Sequence, residues 1–200
     1  MPNLVKNISI NTDKNMEKEK KERKHKGRYS YLNDFKLNES NEYEYKGNVF
    51  ESNLSKEEKS ELVKKSVIFH LLLTFSVLIG GFIPYKGLNG DFYVVVPYVF
   101  EVIFLLLEYP ILYKLYKKDV LREYEYKKSV DRVRPFYYVI VINAAIGIGA
   151  CIADGLSNGF DPIALSLIYG VSKVGSVIFA TILANLFKKL SYKQVQYREK

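Results

Sequence analysis

The chain has 200 residues and a formal net charge of +8, from 30 Lys and Arg against 22 Asp and Glu. Its single cysteine excludes an intramolecular disulfide, and with only two histidines no spacing suggests a metal site, so we expect neither metal nor cofactor. No phosphate-binding glycine loop or catalytic signature occurs, which predicts a chain that is not an enzyme. The abundance of Lys, Asn, Ile and Tyr favours a bacterial source.

The N-terminal 65 residues are polar and contain no membrane-length apolar run. Residues 1–28 are dense in charge, which predicts a disordered basic tail because too little apolar surface can be buried to offset chain entropy. In the juxtamembrane segment 29–65, alternating tyrosines around Lys46-Gly47-Asn48 predict a short β-hairpin over 42–52. Ser55 and Glu58 fit a capping box, which predicts a helix that begins there and continues into the first membrane span.

Residues 66–187 contain four apolar segments that are each long enough to cross about 30 Å of hydrocarbon. They predict an all-α membrane protein with four transmembrane helices. The predicted spans are 66–83, 92–113, 136–153 and 162–187. The loop 114–134 is interpreted as a continuation of the second span followed by a short amphipathic segment, and 188–200 as a basic C-terminal tail.

Lysine and arginine collect in 114–134 and beside the first and fourth spans, whereas the connections 84–91 and 154–161 contain only Lys86. The positive-inside rule therefore predicts that both termini and the middle loop are cytoplasmic, in a multi-pass protein of the plasma membrane. The basic flanks predict attraction to anionic lipid headgroups. Glutamates interspersed in the N-terminal tail argue against nucleic acid binding.

Ionisable side chains inside membrane spans are costly, about 2.5–3.5 kcal/mol each on insertion scales, so they mark function or a paired interior site. At about 1.5 Å per residue, Glu101, Asn143 and Lys173 share one depth, and Glu108 and His70 share a deeper one. We predict a Glu101–Lys173 pair with Asn143 nearby, and a Glu108–His70 contact. The first pair is interpreted as fixing how helices dock, and conduction of a proton, ion or ligand is the alternative.

Small residues recur at every fourth position on the third and fourth spans, a pattern that lets helices approach closely in lipid. On the third span they are Ala145, Gly149 and Ala153, and on the fourth Ser172, Ser176, Ala180 and Ala184. With a short connection between them, these spans are expected to form a tight antiparallel hairpin through the two ridges. Ser172 would then face the third span and Lys173 the second. Because Ser172 and Lys173 point to different faces, the Gly170-Val171-Ser172 pattern does not predict a serine nucleophile with a lysine base.

These features favour a non-enzymatic accessory or regulatory subunit of a membrane complex. Residues about 30 to 60 and the middle loop would dock a cytoplasmic protein partner. The alternative is a small transporter or channel for an ion, proton or small solute that passes Glu101, Glu108 and Lys173. Four helices hardly enclose a pathway, so that alternative requires a homo-oligomer.

Overall fold

A computed structural model of the chain describes residues 32, 34–38, 40–160 and 162–196, and the predicted disordered tail 1–28 lies outside them. The described part is mostly helical, and four of its helices are long and apolar enough to cross a membrane, consistent with an all-α membrane fold. The chain divides into two compact units, a small one that includes Asn48 and the residues before it, and a large one, Val49–Val195.

Four long helices form the large unit, and each extends beyond the apolar segment that predicted it. They are α1 (Lys56–Phe82), α2 (Phe92–Lys117), α4 (Val130–Asn158) and α5 (Ile163–Lys189), with the short helix α3 (Glu123–Lys128) before α4. Hydropathy marks only the part that suits hydrocarbon, whereas backbone hydrogen bonding continues into the polar flanks. A 3₁₀ turn, Lys86–Asn89, connects α1 to α2.

The predicted capping box is confirmed at the start of α1. Ser55 Oγ accepts from the Glu58 backbone N–H at 3.2 Å, and the Glu58 carboxylate accepts from the Ser55 N–H at 3.0 Å. Two of the N–H groups that a helix start leaves without intrahelical partners are thereby satisfied. The helix then continues without interruption into the first apolar segment, as predicted.

Short strands replace the predicted hairpin over 42–52. Strand β2 (Tyr43–Tyr45) pairs antiparallel with β1 (Phe35–Leu37), whereas β3 (Asn48–Ser52) is the central strand between β4 (Val120–Arg122) and β5 (Tyr192–Gln196). The prediction of a strand on each side of Gly47 was right. The prediction that these two strands pair with each other was wrong. A strand pairs with whichever edges satisfy its backbone groups, and here those edges come from distant parts of the chain.

The middle loop also differs from its prediction, because residues 120–122 are a strand and not an amphipathic helical segment. Leu121 is fully buried, and Val120 and Arg122 on either side of it are exposed. This alternation with a period of two is that of a half-buried strand. Strand β3 precedes α1, β4 follows α2 and β5 follows α5, so the three-stranded sheet lies at one end of the bundle, called the sheet end below.

The two predicted small-residue ridges do not face each other. Ala145, Gly149 and Ala153 of α4 are exposed on the outside of the bundle. The ridge of α5 is buried, but Ser172 faces α1, where Ser76 Oγ donates to the Ser172 carbonyl at 2.6 Å. Helices α4 and α5 nevertheless share the most extensive contact between helices, through other residues of α4 such as Gly147 and Cys151.

Candidate functional site

The clearest polar site in the bundle is an ion pair between α2 and α5. Lys173 Nζ donates to both carboxylate oxygens of Glu101, at 2.9 Å each. The lysine side chain is 1% exposed and the glutamate side chain 0%. The structure therefore brings together the two residues that the sequence placed at one depth, and it turns Lys173 toward the second span.

Two tyrosine rings complete the surroundings of the ammonium group. Its nitrogen lies 4.8 Å from the centre of the Tyr98 ring and 5.1 Å from that of Tyr169. An aromatic face attracts a cation within about 6 Å, and the attraction grows when water is excluded. Gly147 of α4 leaves room for the lysine stem, because a Cβ there would lie 3.3 Å from the Lys173 side-chain carbons.

Asn143 is not a hydrogen-bond partner of this pair among the described residues. Its side-chain amide donates to the Val139 carbonyl at 2.8 Å, one turn earlier on the same helix. Depth alone suggested that Asn143 shares the Glu101–Lys173 layer. A residue at the right depth can still point along its own helix, and a local backbone carbonyl satisfies the amide there.

The second polar cluster lies around His70 and Glu108, two turns along α2 from Glu101. His70 Nδ1 is 3.4 Å from a Glu108 carboxylate oxygen and 3.4 Å from the Tyr137 hydroxyl, and all three side chains are buried. The Tyr109 ring packs edge-on against the imidazole, with 4.5 Å between ring centres. The sequence did not predict Tyr137 or Tyr109 for this cluster.

The His70–Glu108 cluster is not saturated with hydrogen bonds. Among the described residues, neither Glu108 oxygen accepts a hydrogen bond of normal geometry, although Tyr137 interacts with the carboxyl group, and His70 Nε2 makes none. Its distances of 3.4 Å are also longer than those of well-formed hydrogen bonds. The two buried clusters thus differ in chemistry. Glu101 and Lys173 hydrogen-bond to each other, whereas Glu108 has carboxyl oxygens and His70 a ring nitrogen that are available to a further group.

A third polar cluster, at the end of the bundle opposite the sheet end, was missed by the sequence analysis. Tyr85 donates to one Asp154 oxygen at 2.5 Å, and Asn158 donates to the other at 2.8 Å. Burial, followed by this hydrogen bond to Asp154, raises the pKa of the Tyr85 phenol. Asp154 was interpreted as the first residue of a loop. In the structure it belongs to α4 and is buried, because the helix continues to Asn158.

The tyrosine of this cluster also connects it to the ion pair. The Tyr85 and Tyr169 rings stack with 4.8 Å between their centres, and Tyr169 in turn packs against Lys173. The buried polar and aromatic groups thus continue from the Asp154 end of the bundle to its middle.

Lys59 is a further buried charged residue, and the sequence did not indicate its burial. It lies at the sheet end with 5% of its surface exposed. Its ammonium donates to the Lys118 carbonyl at 2.6 Å and to the Asp119 carboxylate at 3.1 Å. Lys59 therefore ties the first turn of α1 to the segment between α2 and β4.

Within the described residues, no group of three or more His, Cys, Asp or Glu side chains could hold a metal ion. No family model matches the chain, and no curated protein and no solved structure matches it either.

Proposed function

We propose that the chain is a non-enzymatic accessory or regulatory subunit of a membrane complex, with its sheet end in the cytoplasm. The observation that carries this proposal is the mutual pairing of Glu101 and Lys173 in the buried interior. A group that conducts an ion or binds a substrate needs an unused ligand atom or access to water. Both glutamate oxygens are already taken, and the pair is almost completely buried. Such a pair orients helices, because either charge alone would be far less favourable.

The outer surface supports the subunit role. The small-residue ridge of α4 points away from the bundle, and beyond the neighbouring backbone of α4 itself no heavy atom of the described residues lies within 4 Å of the position that a Cβ at Gly149 would take. In lipid, small residues favour close approach of another helix, because packing contacts replace the missing hydrophobic drive. We therefore assign this face to a transmembrane helix of the partner.

The sheet supports a cytoplasmic contact. Its central strand comes from the N-terminal segment, and its edges come from the middle loop and the C-terminal segment. Each strand is close in sequence to one long helix, β3 to α1, β4 to α2 and β5 to α5. A partner that alters the strand pairing at either edge would therefore act on the end of one of these helices. Edge strands offer unpaired backbone groups to a partner strand, which suits a regulatory contact at this end.

The test is co-purification from native membranes in a mild detergent, with the wild-type chain, Gly149→Leu and the double variant E101Q/K173M. The double variant is expected to retain the partner, because it removes both charges together. Gly149→Leu is expected to lose the partner and stay folded, because the leucine fills only outward space. Retention of the same partner by Gly149→Leu, or its loss in a folded double variant, would contradict the proposal.

A second candidate, an oligomeric transporter or channel for a proton or small ion, is favoured by the unused atoms of Glu108 and His70. Its test is a flux measurement in proteoliposomes with wild type and Glu108→Gln. A flux that disappears in the folded Glu108→Gln variant would establish this candidate and overturn the subunit proposal. Absence of flux in wild-type vesicles, together with a co-purified partner, would exclude it.

A further inference from the structure

A cavity of about 340 Å³ lies at the sheet end between the start of α4 and the end of α5. This volume is in the lower part of the range of small-ligand sites, roughly 300–1,000 Å³. Its lining is half polar and includes two cationic side chains, Arg134 from α4 and Lys188 from α5. Asp131 is the acidic residue of the lining, so the three charged groups leave one net positive charge.

Arg134, which lines the cavity, has an unused hydrogen-bond donor. Its Nε atom is buried and has no hydrogen-bond partner among the described residues. A buried donor without a partner is unfavourable, so native structures usually supply one. The guanidinium group presents Nε and a terminal nitrogen as a planar fork, whose geometry matches two oxygens of a phosphate or carboxylate.

The position of the cavity along the chain indicates where its ligand comes from. Arg134 is the last basic residue before the apolar segment 136–153, and Lys188 is the first after the apolar segment 162–187. Both cations therefore lie where the helices would leave hydrocarbon and enter the headgroup region. Pro135, Tyr138 and Lys188 are exposed, so the cavity opens on the outer surface of the helix pair.

We infer that this cavity, between Arg134 and Lys188, binds the phosphate of an anionic phospholipid headgroup. The phosphate oxygens accept from the Arg134 fork and from Lys188. Phe187 and Tyr138 supply an apolar wall beside the glycerol part of the lipid. Basic pockets between transmembrane helices on the cytoplasmic side are a recurrent form of lipid recognition. This assignment is independent of whether the chain is a subunit or a transporter.

The experiment measures binding of phosphatidylglycerol to the delipidated full-length chain in neutral detergent, with phosphatidylcholine as the reference lipid. The pocket variants are Arg134→Gln and Lys188→Gln. The matched controls, Arg132→Gln and Lys189→Gln, remove the same charge from exposed neighbours outside the cavity. Each pocket variant is expected to raise the apparent Kd for phosphatidylglycerol by about tenfold or more, the effect of losing one charge-assisted hydrogen bond. Each control should change it by less than about twofold, because a charge outside the cavity contributes only diffuse, screened attraction.

Three results would overturn the inference. Equal weakening by pocket and control variants would show a diffuse attraction to the basic flanks and not a site. Equal binding of phosphatidylcholine would remove the selectivity for an anionic headgroup. Binding of soluble glycerol phosphate as tight as that of the lipid would assign the cavity to a soluble phosphate compound. If Arg134→Gln does not fold, Lys188→Gln against Lys189→Gln carries the same comparison.

A charge-retaining variant tests the role of the fork itself. Arg134→Lys keeps the positive charge and removes Nε together with the planar geometry. We expect it to bind phosphatidylglycerol more weakly than wild type, and unchanged binding would refute the assignment of Nε as a phosphate donor.

Discussion

Removal of one member of the Glu101–Lys173 pair should destabilise the bundle far more than removal of both. In E101Q the Lys173 ammonium loses the opposite charge and one of its two acceptors, each at 2.9 Å, and in K173M the buried carboxylate loses its donor. Breaking a buried pair typically costs about 3–5 kcal/mol, because the remaining charge is left without compensation. Replacing both partners removes both charges and leaves only the buried amide of the introduced glutamine, so the double variant E101Q/K173M should lie within about 1–3 kcal/mol of wild type.

The free energy of unfolding can be measured by titrating denaturing detergent into mixed micelles that contain each of the four proteins. The expected interaction energy between the two sites is at least about 3 kcal/mol, at or above the upper end of the range for residues in contact. The exposed Glu61–Lys65 pair of α1 is the matched control, and E61Q should cost less than about 1 kcal/mol.

Two outcomes would refute this reasoning. If E101Q and K173M each cost no more than E61Q, the buried pair does not stabilise helix docking. If the double variant costs the sum of the two single variants, the side chains act independently and the 2.9 Å contacts do not represent a coupled pair.

The same titration checks three further predictions. E108Q should cost less than about 1 kcal/mol, in contrast to E101Q, because the carboxyl group that it replaces is not paired with a lysine as Glu101 is; a loss as large as that of E101Q would contradict this. Gly147→Leu should cost about 1–3 kcal/mol by crowding the Lys173 stem, whereas Gly149→Leu should be neutral or stabilising. The reverse order of costs would show that Gly149, and not Gly147, lies on the buried face of α4. Ser55→Ala should cost about 1 kcal/mol and speed amide exchange in the first turn of α1, and unchanged exchange would show that the cap contributes nothing there.

Features set by near neighbours in the sequence could be predicted. The capping box of α1 needs only residues 55 to 58, and the four long helices need only their own apolar content. The joint depth of Glu101 and Lys173 follows from helical rise, which is the same for every helix. Each of these depends on geometry that does not change with the surrounding fold.

Features that depend on the choice of neighbour could not be predicted. Periodicity showed that α4 and α5 each carry a ridge of small residues, but it does not say which helix a ridge faces. Ser172 packs on α1, whose Gly80 and Ser76 leave space and a hydroxyl opposite it. In the same way, β3 pairs with strands near residues 121 and 194, and no local pattern identifies partners so far along the chain.

The two glutamates of α2 show how the same side chain can take different roles on one helix face. Both oxygens of Glu101 accept from Lys173, whereas Glu108 lies 3.4 Å from His70 Nδ1 and neither of its oxygens accepts a well-formed hydrogen bond among the described residues. The paired carboxylate of Glu101 is costly to disturb, because Lys173 would be left as a buried charge without compensation. The Glu108 carboxyl group contacts His70 and not a lysine, so its replacement should cost the fold less. Comparison of E101Q with E108Q, for stability and for flux, therefore separates the scaffold of this protein from any conducting role it has.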